Sequence, residues 1–224
     1  AVGIDPSQLA TGAAMWLCLV ALLSFHEFGH AWAAHKCGDD TARMMGRMTI
    51  NPIVHIDLIG TVLLPWVMIL FMATNTEFGF FMFGWAKPVP VNPSNFENRK
   101  RDDIFISMAG PAVNLLLAFL ILGLYRLGIA LGDWPGDSII HQMRTIAILS
   151  MILCMFNLIP IPPLDGSHVM RHLVGMSEST YLQIAQYGFI ILIVVINVTP
   201  LFQYVALASY KTLQVFAIIL GVPL

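Results

Sequence analysis

The sequence predicts an all-α polytopic membrane protein, with a small membrane-associated β or loop region at about 74–95. Hydrophobic residues make up 58% of the 224 residues and charged residues 11%, less than half the share of about 25% in a soluble domain. Apolar runs recur at the length of a spanning helix, about 20 residues, and give about five to six membrane segments. No repeat, low-complexity tract or soluble appendage interrupts them.

The first segment spans about 8–36 and is broken only by His26, Glu27 and His30. A second apolar run, 56–73, contains Gly60 and Pro65. Residues 78–92, rich in aromatics, Gly and Pro, read as extended strand or loop. A strand edge there would let an unwound peptide bind by adding a strand. Arg99, Lys100 and Arg101 precede a helix at about 104–131, and the GDWPG run at 132–136 is a turn. Further helices are expected at about 139–160, 180–198 and 201–220, with the proline-rich break IPIPPLDG at 159–166. A short interfacial helix is expected at about 166–174.

A net charge of −2 without a long basic run excludes a nucleic-acid partner. Cys18, Cys37 and Cys154 are odd in number and irregular in spacing, which suits packing thiols and not a disulfide framework. The apolar N-terminal stretch lacks a basic leader, so no cleavable signal peptide is expected. Basic residues are enriched in cytoplasmic loops. Lys36, Arg43, Arg47, Lys87, Arg99, Lys100, Arg101 and Arg171, eight of the eleven, share one face only if 56–86 makes no net crossing. That face is taken as cytoplasmic.

His26-Glu27-Phe28-Gly29-His30 is an H-E-x-x-H on a predicted helix. Positions i and i+4 share a helical face, so both imidazoles reach one metal ion. Glu27 is turned by about 100° from His26 and can approach the attacking water without ligating the metal. This division of labour suits metal-assisted peptide hydrolysis, with two His as ligands and Glu as general base. A carboxylate within a membrane helix is costly, and a bound cation offsets that cost. Catalytic zinc takes three protein ligands and keeps one position open. Asp165, in irregular backbone after a long apolar helix, is the best candidate for the third; the plain alternative is a cap on the short helix that follows. Asn114, in Gly110-Pro111-Ala112-Val113-Asn114, either steadies an oxyanion or bonds a neighbouring helix.

HEFGH, AGPAVN and NLIPIPPLDG, in that order and in membrane helices, resemble the site-2 proteases, zinc intramembrane metalloproteases. The intervening INPIVHIDLIGTVLLP and FGWAKPVPVNP also resemble segments of prokaryotic members. The likeness covers about residues 20–175. It implies one Zn2+ per chain held by His26, His30 and Asp165, with Glu27 as catalytic base and Asn114 as an active-site residue. It suggests Asn157 as a further polar group near the metal. It also implies a core of three helices and a minimal member, without a PDZ insertion or CBS-type domain. The expected organisation is a single intramembrane metalloprotease domain over 1–224, with its core at about 8–175 and added helices at about 178–220. Its substrates would be single-span transmembrane proteins or peptides.

Other residues stay open. His55, near Asp57, suits either a contact to a metal ligand or substrate, or a polar turn at the interface. His168 and His172 imitate a metal pair, yet Arg171 between them suits an interfacial helix. The rival to proteolysis is a metal-ion transporter using the same His and carboxylate cluster as a transit site.

Overall fold

The computed structural model describes residues 4–74, 84–132 and 136–223. Their regular structure is helical, and they contain no strand. The chain divides into two compact units, 1–92 and 93–224.

The first unit is organised by α1, Pro6–Lys36. Asp5 opens it by accepting the Ser7 N–H at 2.8 Å, with Pro6 at the first helical position, where its missing N–H costs nothing. At about 1.5 Å per residue the helix exceeds the hydrocarbon core of about 30 Å. It ends on His35 and Lys36, basic residues at the negative end of the helix dipole. A short α2, Thr41–Met44, and a 3-10 turn, Pro52–His55, lead into a π-turn at Leu58–Leu63 and then α3, Leu64–Ala73.

The π-turn has an identifiable cause. Pro65 has no N–H and its ring crowds the carbonyl four residues back, at Thr61. That released carbonyl accepts the Trp16 indole N–H at 2.6 Å. From there α3 runs antiparallel to α1. Ile69 lies against Gly12, where a Cβ would stand 2.7 Å from its side chain, and the Ala73 carbonyl accepts the Asp5 N–H at 2.8 Å.

The chain then comes back to where α3 began. Trp85 donates its amide to the Gly60 carbonyl at 3.2 Å, Thr61 Oγ1 donates to the Trp85 carbonyl at 2.7 Å, and the Lys87 amide donates to the His55 carbonyl at 2.9 Å. The Trp85 indole covers Gly60 so closely that a Cβ there would fall 2.3 Å from the ring. Residues 60 and 85 therefore lie side by side. Leu58–Ala73 is a 16-residue apolar helix, short of a full span.

The second unit holds α4, Arg99–Leu131; α5, Gly136–Asn157; α6, Gly166–Leu173; α7, Glu178–Ala185; α8, Gly188–Val198; and α9, Leu201–Leu220. Asn98 caps α4 by accepting the Arg101 amide, and the Asp102 carboxylate reaches back to the Asn98 amide at 2.7 Å. Gly132, at φ 69°, closes it in the left-handed conformation. Ala118, Leu122, Met151, Cys154 and Leu213 form the core between α4, α5 and α9. On the other face of α4, Leu116, Leu120, Leu124 and Leu127 are exposed, an apolar stripe that suits lipid and not water.

Among the described residues, four helices are long and apolar enough to cross a membrane, or five if α7 and α8, bent by 61°, count as one broken span. Of the expected segments, 56–73 contains only the short helix Leu58–Ala73. The expected 180–198 helix is interrupted at the bend. At Gly188 a Cβ would sit 2.5 Å from the Pro162 carbonyl oxygen, so this close approach needs glycine. Of the expected β or loop region, 75–83 lie outside the described residues and 84–92 contain no strand. Cys18, Cys37 and Cys154 are free thiols, the last two buried.

Candidate metal centre

The middle of α1 buries Leu19, Val20, Leu22 and Leu23, and its last three turns bury His26, Glu27 and His30. The i, i+4 spacing stacks the imidazoles edge to face, with ring centroids 4.7 Å apart and planes at 83°. Their Nε2 atoms face each other at 3.0 Å. Two imidazole nitrogens about 2.0–2.1 Å from one tetrahedral ion stand roughly 3.3 Å apart. The observed pair is within a few tenths of an ångström of that spacing, so the two rings fit one metal ion without rearrangement.

Glu27 points elsewhere on the helix, as the 100° turn requires. Its Oε2 accepts the Val89 amide at 2.8 Å. Val89 belongs to the unclassified segment 84–92, whose donors alternate: Trp85, Lys87 and Val89 all turn inward, to Gly60, His55 and Glu27. The side chain of Val89 packs with Ala31 and Ala42, one helical turn beyond Glu27. Arg47 holds the same segment by its carbonyls, donating to the Lys87 carbonyl at 2.7 Å and the Pro88 carbonyl at 2.9 Å. The fully buried Asp39 secures the far end by accepting the Asn92 amide at 2.7 Å.

His55 is buried, and its Nε2 bonds the Thr49 carbonyl at 2.8 Å, while Nδ1 has no partner among the described residues. With its own carbonyl holding Lys87, this residue pins the returning segment.

In the second unit, Asp165 occupies the N-cap position of α6 but makes no side-chain cap hydrogen bond. Its main-chain carbonyl accepts the His168 amide at 3.1 Å. Its neighbours are fixed on both sides. Leu164 packs with Ile159, Leu192 and Val205. Gly166 touches the end of α5, where a Cβ would meet the Leu158 carbonyl oxygen at 2.2 Å. Ser167 Oγ donates to the Leu164 carbonyl at 2.6 Å and shares a 2.9 Å bond with the Tyr181 hydroxyl.

Asn114 and Asn157 both lie in the second unit. Asn114 is fully buried in α4, and its carbonyl accepts the Ser150 hydroxyl at 2.8 Å, joining α4 to α5. Asn157 donates its amide to the Leu153 carbonyl one turn back at 2.9 Å.

His168 and His172 do not face one another as a metal pair. They bracket one carboxylate, with His168 Nδ1 3.2 Å from Asp103 Oδ1 and His172 Nε2 2.6 Å from Asp103 Oδ2. The Arg171 guanidinium lies 3.8 Å from the same carboxylate and 5.3 Å from the Tyr181 ring centroid. Asp103 thus clamps α6, the helix that Asp165 opens, onto the start of α4. Sequence reading missed Asp103, Val89 and Arg47. Only the Pro88-Val89-Pro90 spacing, which leaves one amide among three residues, gave a local signal.

Membrane-length helices with a buried H-E-x-x-H pair define a helical membrane protein of the metallopeptidase class. The chain belongs to Peptidase family M50, the site-2 protease family, whose model matches residues 14–130 and 127–198. It is similar to "Putative zinc metalloprotease YwhC" of Bacillus subtilis, 38% identical over 194 residues, covering 84% of this chain and 82% of that protein. It is also similar to "Putative zinc metalloprotease Rip2" of Mycolicibacterium smegmatis, 31% identical over 189 residues, 83% of this chain and 65% of that protein. The Rip2 of Mycobacterium tuberculosis is 31% identical over 180 residues, 80% of this chain and 63% of that protein. The chain spans just under two thirds of the Rip2 proteins. No solved structure matches it.

Proposed function

We propose that this protein is a zinc-dependent intramembrane endopeptidase that cuts transmembrane segments of single-span proteins or peptides. The observation that carries this reading is the buried imidazole pair, Nε2 to Nε2 3.0 Å, on a helix long and apolar enough to span a membrane, with a buried carboxylate next to the first ring. His26, His30 and Asp165 would hold one zinc ion; two imidazoles and a carboxylate leave the open position of a catalytic site. When bound, zinc would act as a Lewis acid toward the scissile carbonyl and make water more acidic.

The chain's own residues then supply the proton path. Val89 occupies Glu27 Oε2, so Oε1 is left to take a proton from the attacking water as its oxygen bonds to the carbonyl carbon. Glu27 returns that proton to the amide nitrogen as the C–N bond breaks, and emerges ionised again. Asn114 would donate to the developing oxyanion. A helical peptide bond is shielded by its own hydrogen bonds, so the substrate segment must unwind locally. The basic residues, concentrated at Lys36–Arg47, Lys87, Arg99–Arg101 and Arg171, support a site that opens toward the cytoplasm.

The test is reconstitution in lipid with a single-span substrate. Glu27→Gln should keep about one zinc per chain and lose cleavage by at least about 10³-fold, on the order of what a general base and its associated positioning contribute. Cleavage by Glu27→Gln at the wild-type rate refutes the reading.

A further inference from the structure

We propose that Arg47 is a positioning residue for the Glu27 carboxylate, acting through the main chain of Lys87-Pro88-Val89. The inference rests on Glu27 being the base. Within Pro88-Val89-Pro90 the two prolines have no N–H, so Val89 carries the sole amide, and that amide donates to Glu27 Oε2 at 2.8 Å. Where it points is set by the two carbonyls just before it. Arg47 holds both, with NH2 2.7 Å from the Lys87 oxygen and NH1 2.9 Å from the Pro88 oxygen.

A guanidinium suits this task because its donors are fixed in one plane and engage two acceptors at once; a lysine presents a single ammonium on a flexible stem. The arginine itself is fixed. It is buried, and its amide donates to the Ala42 carbonyl at 2.8 Å as the chain leaves α2. A buried arginine would ordinarily face a carboxylate. Here it faces main-chain oxygens, an arrangement that spends a charge on aligning backbone.

The consequence is mechanical. Glu27 has two side-chain oxygens with different tasks, and the Val89 bond determines which one is presented to water. If the Lys87–Pro88 carbonyls drift, the amide swings and the carboxylate is free to rotate. A displacement of about 1 Å at a reacting group costs on the order of 10²-fold in rate.

The experiment uses the full chain in lipid nanodiscs with Arg47→Lys, Arg47→Gln and Glu27→Ala. Amide hydrogen exchange at Val89 is the readout independent of activity. It should speed up by at least about tenfold in Arg47→Gln and in Glu27→Ala, and by less in Arg47→Lys. Zinc should stay at about one per chain in both Arg47 variants. Toward a single-span substrate, Arg47→Gln should lower kcat by about 10–100-fold with KM within about twofold, and Arg47→Lys should recover part of it. Unchanged Val89 exchange in Arg47→Gln and Glu27→Ala overturns the proposal, as does a rise in KM with kcat intact. If wild type cleaves nothing, the protease reading fails, while Val89 exchange still decides whether Arg47 and Glu27 share this amide.

Discussion

Gly166→Ala places a methyl group where the structure has only backbone. The new Cβ would stand 2.2 Å from the Leu158 carbonyl oxygen, 2.5 Å from the Leu158 carbonyl carbon and 2.8 Å from the Ile159 oxygen. None of these belongs to a side chain that can turn away. An ordinary carbon–oxygen contact is about 3.3 Å, so the Asp165–Gly166 turn must move by about 1 Å relative to the end of α5. Overpacking of this kind costs about 1–3 kcal/mol. Because Asp165 adjoins the displaced residue, zinc affinity should fall by about 10–100-fold, the usual cost of losing the support around a metal ligand.

Zinc competition against a chromophoric chelator reads the affinity, and thermal unfolding of the metal-free protein reads the strain. Gly123→Ala is the control: nothing lies within 4 Å of its Cβ, it sits inside α4, and the change should be neutral or stabilising by up to about 1 kcal/mol. If Gly166→Ala binds zinc as tightly as Gly123→Ala does, Asp165 is not a ligand whose placement depends on this turn.

Asp165→Ala should lower zinc from about one per chain toward none, measured by mass spectrometry of the purified protein; an unchanged stoichiometry removes Asp165 from the ligand set. Asp103→Ala leaves His168, Arg171 and His172 without the carboxylate they surround, all of them less than about a third exposed except His168 at 35%. It should destabilise by about 2–3 kcal/mol in unfolding measurements, and a change below about 0.5 kcal/mol would show that the clamp is idle.

The metal-binding half on α1 was legible because its signal is local. Spacing of i and i+4 on a helix puts His26 and His30 together whatever the rest of the chain does, and the structure adds only the 3.0 Å that makes the fit quantitative. Helices with strong apolar runs were legible for the same reason, and α1, α4 and α9 begin and end within a few residues of expectation. The α7–α8 bend was not. Residues 189–196 are an unbroken apolar run that reads as part of one helix, and the close approach of the Pro162 carbonyl at Gly188, about 26 positions away, lies at the bend. Pro65 did mark a disturbance, but its form, a π-turn relieved by the Trp16 indole, depends on a helix 45 residues earlier. Arg47 read as one more charge for the membrane face, because a bond from arginine to main-chain oxygens 40 and 41 residues on leaves no trace in residue types. Asp103 was hidden in Arg99-Lys100-Arg101-Asp102-Asp103, where a carboxylate looks like local neutralisation.

Pro88 and Pro90 also bear on how the protein meets other chains. The inward amides of Trp85, Lys87 and Val89 are already committed, and alternation turns the neighbouring outward ones to positions 86, 88 and 90. Two of those three are prolines, and Arg47 has taken the Pro88 oxygen. A peptide laid alongside residues 86–90 would find Ala86 as the one donor on that side of this stretch, and pairing there would be sparse. Residues 86–90 thus form an extended stretch that offers few main-chain donors to a second copy of the protein or to a stray unfolded chain.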